Sequence, residues 1–235
     1  AADLVGGGWF GWLPYDGPAR LAFHDHVVRH RDGQGSFETL WSEPRDAVLQ
    51  ARLDEASALL GMQVPAREQA FTVGAFDGAD AGVHLAAVER AIELIRAGEL
   101  YQVNVCTRLS APFGGSAAAL FARGSAQLRP RYGAFLDAGE YAVASLSPEL
   151  FLRRRGRDVC TAPIKGTWPG TSGDGAARLR ASTKDAAENV MIVDLMRNDL
   201  GRVCETGSVR PLSLLQVQAH PGLWHLVSTV AGRLR

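Results

Sequence analysis

The sequence predicts an α+β fold with a largely antiparallel sheet, and three observations support this prediction. Of the 235 residues, 26 are glycine and 11 are proline, which favours many turns over a bundle of long helices. Short apolar runs follow one another as hairpin pairs between residues 132 and 164. The few amphipathic helical stretches lie outside these pairs, as they do in folds that segregate strands from helices.

Composition excludes several classes of function. Lys and Arg number 25 and so do Asp and Glu, so the chain has no basic field for nucleic acid or a membrane surface. The sequence contains no run of about 18 apolar residues and does not begin like a signal peptide. The three cysteines form no CxxC motif, and neither a zinc site nor a disulfide framework is indicated. We therefore expect a cytoplasmic protein with reduced thiols.

The first third of the chain alternates strands and one helix. Residues 6–12 are a glycine-aromatic run that predicts a strand, and residues 23–31 predict a second strand. Residues 46–60 have helical apolar spacing, with Asp46 as a plausible N-cap. The polar, turn-rich residues 64–80 predict a loop.

The middle of the chain predicts two helices with a strand between them. Residues 84–97 repeat apolar side chains every three or four positions, and Gly98 follows as a stop signal. Residues 101–109 alternate with period two and predict a strand whose polar face carries Gln102. Residues 116–128 predict a short helix. Residues 132–136 and 141–145 predict a hairpin.

A second predicted hairpin brings a carboxylate close to an amine. Residues 149–154 and 158–164 flank a two-residue turn, which places Glu149 opposite Ile164, or opposite Lys165 if the turn differs by one residue. Such a pair is either an acid and a nucleophile, or an exposed ion pair that contributes little to stability. Spacing alone favours the exposed ion pair.

The last third predicts a long helix and two strands. Residues 183–200 are apolar on most sides, so Glu188 needs a partner, either Lys184 or a hard cation. One carboxylate alone does not make a magnesium site. Gly201 is the expected end of this helix. Residues 208–217 and 224–234 predict strands, and His225 on an apolar face is more often a core residue than a catalyst.

Five segments then carry a resemblance to the chorismate-binding enzymes, dense from residue 97 onward. In order they are AGELYQVNVCTRL, SLSPELFL, TAPIKGTWPG, KDAAENVMIVDLMRNDLGRV and GLWHLVSTVAGRL. The resemblance implies two packed, largely antiparallel sheets with outer helices, and a magnesium-bound chorismate in the cleft between them. It also implies that residues 1–235 form a single domain of this type that lacks an N-terminal part and a C-terminal closing part.

Two positions sort the members of this family. Relatives that add water to chorismate carry Lys at the position of Gln102, and an amide does not titrate, so isochorismate and salicylate formation are disfavoured. Anthranilate-forming relatives usually carry a small residue at the position of Lys165. The aminodeoxychorismate synthases resemble this sequence in having Lys there.

The resemblance also implies roles for the site residues. Lys165 is the expected nucleophile toward C2 of chorismate, and Glu149 the acid that protonates the departing C4 hydroxyl. Glu188 is the expected ligand of Mg²⁺. Gly166, Thr167 and His225 are expected to line the substrate pocket.

The same resemblance implies a partner and leaves alternatives. A glutaminase subunit or fused domain is expected to supply ammonia, which would displace the lysine and give 4-amino-4-deoxychorismate for folate synthesis. The alternatives are an anthranilate synthase large subunit with an unusual Lys, and a catalytically incomplete fragment. One departure from the family is Gly170, which follows Pro169 where an Arg is common.

Overall fold

A computed structural model describes residues 5–31, 34–40, 47–61, 70–78, 80–170 and 173–235. The chain divides into two compact units, Ala1–Glu68 and Gln69–Arg235. Both mix helices with antiparallel strand pairs, as the predicted α+β class requires. No helix in the described ranges is long and apolar enough to cross a membrane.

The first unit consists of two hairpins and a helix within its described residues. These elements are β1 (Gly8–Trp12), β2 (Arg20–His24), β3 (His26–Arg31), β4 (Gln34–Thr39) and α1 (Ala47–Gly61). The strand predicted over residues 23–31 is interrupted at Asp25, so its two halves pair with β1 and with β4 separately. The helix agrees with the prediction, while its proposed cap Asp46 lies outside the described residues.

The second unit contains the remaining elements. They are β5 (Phe71–Val73), α2 (Ala81–Arg96), β6 (Phe113–Gly115), α3 (Ala117–Leu128), β7 (Tyr132–Asp137), β8 (Ala142–Ser147), β9 (Leu150–Arg155), β10 (Asp158–Ala162), β11 (Ile164–Pro169), α4 (Gly175–Ala181), α5 (Thr183–Val203), β12 (Arg210–His220) and β13 (Leu223–Arg233). Asp80 and Ser116 cap the first turns of α2 and α3 with their side-chain oxygens, as N-cap residues do.

Strand β13 is the centre of a five-stranded antiparallel sheet. One of its edges pairs with β12, and the other pairs with β11 near its start and with β10 near its end. Pro163 separates β10 from β11, because proline has no N–H for the ladder. Its carbonyl still accepts a hydrogen bond from Ser228 N at 3.2 Å, so both strands stay on the same edge of β13.

Helix α5 packs against this sheet and forms the core with it. A buried cluster of apolar side chains joins the helix to β10 and β13: Val159, Val193, Leu200, Cys204 and Val230. Apolar residues on the other side of the helix stay accessible, and Val190 is 48% exposed. The helix is therefore buried along one side, where the sequence predicted burial on most sides.

Several predicted elements differ from the structure. Residues 101–109 form no strand, because the described part of the chain offers them no partner strand, and Tyr101 and Leu109 are exposed. Strand β5 lies inside the predicted loop 64–80, and α4 was not predicted. Helix α5 runs through Gly201 to Val203, because Cys204 N still donates to Leu200 O at 2.9 Å.

Candidate active site

A β-bulge places Lys165 at the edge of the site. Ile164 pairs with Val227 and Thr167 pairs with His225, so three residue steps in β11 match two steps in β13. The additional residue lies between Ile164 and Thr167, as in a β-bulge. The bulge removes Lys165 from the regular alternation of the strand, and no pattern in the sequence predicts it.

Gly166 allows this bulge to approach the helices. Its φ is +94°, and a Cβ at this position would lie 2.9 Å from Asp185 Cβ and 3.2 Å from Leu179 Cδ1. Only glycine adopts this backbone conformation without strain and fits so close to Asp185 and Leu179. The strand after Pro163 therefore passes close to the first turn of α5, and Gly166 and Lys165 lie next to one another there.

Thr167 and His225 form a hydrogen-bonded pair across β11 and β13. Thr167 Oγ1 lies 3.0 Å from His225 Nδ1. The ring of His220, on β12, meets the ring of His225 edge-on with centroids 4.9 Å apart. His225 is only 8% exposed. Burial lowers the pKa of His225, and the charge of His220 lowers it further, so the neutral imidazole is favoured.

Glu149 lies immediately before β9, and its side chain reaches the first residue of β11. Its Oε1 accepts a hydrogen bond from Ile164 N at 2.8 Å, although the residue remains exposed. The two-residue turn after Arg155 agrees with the prediction, but a register shift pairs Ala162 with Leu150, so neither predicted register for Glu149 holds. The side chain nevertheless reaches the residue beside Lys165. Its charge also opposes the lowering of the pKa of His225.

Lys165 is half-buried, and no carboxylate lies within ion-pairing distance of its amine among the described residues. The predicted Glu149–Lys165 ion pair is therefore not formed, whereas Asp194 and Arg197 of α5 are paired at 3.1 Å. An amine without an ionic partner among the described residues is a candidate nucleophile, and Glu149, bonded to the adjacent Ile164 N, is a candidate acid.

Glu188, in the second turn of α5, is the candidate metal ligand. Gln102 Nε2 approaches its Oε1 at 3.5 Å, and Lys184 Nζ lies 4.0 Å from its Oε2. The described residues contain no group of three His, Cys, Asp or Glu suited to a metal ion. Magnesium commonly takes one or two protein carboxylates and completes its shell with water and substrate oxygens. The half-buried carboxylate of Glu188 fits one place in such a shell.

Asn189 is a site residue that the sequence analysis missed. It is fully buried, and its side-chain amide donates to Leu226 O at 3.0 Å and approaches Lys165 O at 3.4 Å. Its position on the buried side of α5, three and four residues before Ile192 and Val193, was available from helical spacing. A polar residue in an otherwise apolar stripe indicates a buried hydrogen-bonding role.

Comparison with known proteins identifies the family. Residues 10–235 match the family model for chorismate binding enzymes. Over 145 residues the chain is 45% identical to aminodeoxychorismate synthase component 1 of Klebsiella aerogenes. This alignment covers 60% of this chain and 32% of that protein. Over 157 residues it is 43% identical to anthranilate synthase component 1 of Thermus thermophilus, with coverage of 64% and 34%.

The fold leads to the same family. A crystal structure of anthranilate synthase component I from Streptococcus pneumoniae superposes with a TM-score of 0.83 at 26% identity, covering all of this chain and 59% of that one. The chain spans about a third of the length of the two curated relatives. The match over nearly its whole length shows that the chain belongs to the family of chorismate-binding enzymes.

Proposed function

We propose that the chain converts chorismate and ammonia to 4-amino-4-deoxychorismate, as an aminodeoxychorismate synthase component I does. The observation that carries this proposal is the position of Lys165, on a β-bulge beside the Glu149 hydrogen bond to Ile164 N and the Thr167–His225 pair. Similarity to a relative named aminodeoxychorismate synthase component 1 supports it.

In the proposed reaction, the neutral amine of Lys165 attacks C2 of chorismate. The ring double bonds shift and the C4 hydroxyl departs, taking a proton from Glu149 and leaving as water. Ammonia then attacks C4, the double bonds shift back, and the C2–nitrogen bond to Lys165 breaks. One lysine–carbon bond forms and breaks in each turnover, and the net change replaces hydroxyl by amine.

Substrate binding is assigned to groups around the bulge. Gly166 is assigned to the wall of the pocket, where β11 passes close to α5, and Thr167 and His225 offer hydrogen-bonding groups to the substrate. Glu188 would hold Mg²⁺, which would neutralise substrate carboxylate charge when bound. Lys184 compensates part of the negative charge of Glu188, and a partially accessible ion pair of this kind contributes little to stability.

Gln102 supports amination over hydration. Its amide approaches Glu188 at 3.5 Å, so it lies beside the candidate metal ligand. A lysine at this position would provide a base for water, whereas an amide cannot take up a proton near neutral pH. Ammonia is proposed to come from a separate or fused glutaminase, and the cytoplasm is the proposed location.

The proposed nucleophile is directly testable, because Lys165 and Lys184 are the only two lysines of the chain. We expect the protein incubated with chorismate and Mg²⁺, without ammonia, to gain the mass of chorismate minus water on the peptide that contains Lys165. Lys165→Arg should lose this adduct, since arginine remains protonated. Lys184→Arg, the matched control at an 85% exposed side chain, should retain it.

Product analysis separates the proposal from its main alternative. With ammonium salt present, we expect 4-amino-4-deoxychorismate, identified by chromatography and mass spectrometry. Anthranilate as the product would favour the anthranilate synthase reading, for which the similarity to the Thermus thermophilus enzyme is the supporting observation. An adduct on Lys184, or full synthesis by Lys165→Arg, would refute the nucleophile assignment.

A further inference from the structure

A buried hydrogen-bond network joins three strands to the helix behind the candidate site. Asn189 of α5 donates to Leu226 O of β13 at 3.0 Å and approaches Lys165 O of β11 at 3.4 Å. Ser228 Oγ donates to Asn189 Oδ1 at 2.5 Å and accepts from Leu215 N of β12 at 3.0 Å. The side chains of Asn189 and Ser228 are both fully buried.

Chemistry fixes the orientation of the Asn189 amide in this network. Its two neighbours on one side are backbone carbonyls, which only accept, so the NH₂ group must face them. The Ser228 hydroxyl accepts from a backbone N–H and therefore has its proton free for Asn189 Oδ1. Every polar group of the network is paired in one arrangement, and a buried, fully paired network holds its members rigidly.

The network also spans two irregular points of the sheet. Lys165 lies in the β-bulge of β11, where regular pairing with β13 is interrupted. Leu215 lies at a register shift of β12 and has a φ of +52°, which is unusual for a residue with a large side chain. Side-chain hydrogen bonds thus support the backbone where the ladder does not.

Both carbonyl partners of the Asn189 NH₂ group lie at or next to a proposed functional residue. The Lys165 carbonyl belongs to the proposed nucleophile, and Leu226 follows His225 on β13. Asn189 itself follows Glu188, the proposed metal ligand, on α5. The network therefore links the backbone at Lys165 with the backbone next to His225 and next to Glu188.

We propose that Asn189 is a positioning residue, which holds the Lys165 bulge at a fixed distance from the helix turn that bears Glu188. This inference rests on the proposed function of Lys165. Asn189 touches no reacting atom and acts through the backbone of Lys165. Its loss should slow nucleophilic attack more than it weakens chorismate binding, because small displacements of a nucleophile reduce rate steeply.

The test measures the rate of Lys165 adduct formation by intact mass, at saturating chorismate with Mg²⁺ and without ammonia, and the chorismate dissociation constant separately. We expect Asn189→Ala to lower the maximal adduct rate about 10- to 100-fold, as misplacement of a reacting group does, with the dissociation constant changed less than about threefold. Ser228→Ala keeps both Asn189 donors, and it should lower the rate by a smaller factor.

The matched control is Val193→Ala on the same helix. Val193 is buried in the core and is not part of the network, so this change destabilises α5 without touching the amide. We expect its adduct rate to stay within about twofold of the parent at a temperature where all variants are folded. Thermal unfolding of each variant verifies that condition. If Asn189→Ala fails to fold, the Ser228→Ala rate decides.

The outcomes distinguish this inference from the proposed function. If the parent forms no adduct on Lys165, the proposed function fails, and this inference fails with it. If the parent forms the adduct and the folded Asn189 and Ser228 variants form it at the parental rate, only the positioning role is refuted. Equal rate losses in Val193→Ala and Asn189→Ala would likewise refute it, because they would reflect general destabilisation.

Discussion

At the scale of the residue, the environment of His225 determines its charge. The ring is buried next to His220, and Thr167 supplies a hydrogen bond to Nδ1. Both burial and the neighbouring imidazole disfavour the imidazolium, which lowers the pKa of His225. A neutral imidazole can donate one hydrogen bond and accept another, which suits a residue that orients a substrate bearing hydroxyl and carboxylate groups.

The lowered pKa of His225 predicts a pH dependence of stability. A histidine whose pKa is lower in the folded state binds protons more readily when the chain unfolds. The free energy of unfolding should therefore be highest above the ordinary histidine pKa of about 6.5 and decrease as the pH falls below it. Chemical denaturation between about pH 8 and about pH 5, on either side of that value, measures this dependence. His225→Gln should show a shallower decrease, and an unchanged slope would contradict the assignment.

Gly166 provides a second prediction at a single residue. Gly166→Ala adds a backbone penalty of about 1–2 kcal/mol for the positive φ and a packing penalty of about 1–3 kcal/mol against Asp185 and Leu179. Gly156→Ala is the matched control, since Gly156 also has a positive φ of +59° but open space around the added Cβ. Urea denaturation should show a larger loss for Gly166→Ala, and equal losses would argue against the close approach.

At the scale of the element, α5 contributes both to the core and to the site. Its buried side carries Val193 and Leu200 into the cluster with Val230, and the same helix presents Asn189 to the strands and Glu188 to Gln102. The N-terminal turn is fixed by the Ser182 cap, whose oxygen accepts from Asp185 N at 3.2 Å. The helix therefore transmits the rigidity of the core to the residues proposed to act on chorismate.

The core contacts of α5 and β13 are testable by truncation. Val230→Ala removes buried methyl groups and leaves a cavity, so it should lower the free energy of unfolding by about 2–3 kcal/mol. Val190→Ala on the accessible side of α5 should cost less than about 0.5 kcal/mol. Thermal and chemical unfolding of both variants check the difference. Equal losses of stability in the two variants would contradict the burial of Val230 between α5 and the sheet.

Sequence patterns predicted the elements whose periodicity matches their burial. The predictions were correct in element type and close in extent for three groups of elements. These are the hairpins around Asp137 and Gly156, the helix capped by Ser116, and the last two strands. Residues 101–109 have strand-like alternation and yet form no strand, since alternation does not supply a partner. The β-bulge at Lys165 was not predictable either, because it depends on β13, far along the sequence.

Sequence motifs suggested which residues belong to the candidate site, but they did not reveal how those residues are arranged. The resemblance pointed to Lys165, Glu149 and Glu188, and their roles remain predictions. Only the three-dimensional structure reveals that Glu149 accepts from Ile164 N and that Asn189 forms a buried network. Asn189 is buried because α5 packs on the sheet. The sequence indicates this packing only through the apolar stripe of the helix.

At the scale of the whole molecule, the accessibility of the cysteines can be used to follow the unfolding of the second unit. Cys106 is exposed, whereas Cys160 and Cys204 are buried, and burial raises the pKa of the Cys204 thiol. We expect iodoacetamide to modify Cys106 quickly in the native protein, because the reactive species is an accessible thiolate. Peptide mass spectrometry should find Cys160 and Cys204 modified together, only as denaturant unfolds the unit. Early modification of Cys204 would contradict the described core.

The central place of β13 has a consequence for synthesis on the ribosome. Strand β11, which carries Lys165, has β13 as its sheet partner, while β9 and β10 already pair with each other. Chains emerge N-terminal end first at about 5–20 residues per second, so the segment with Lys165 waits several seconds for its partner. During that interval its strand edge is unpaired and open to other chains. The proposed nucleophile acquires its surroundings only when residues 223–233 have left the exit tunnel.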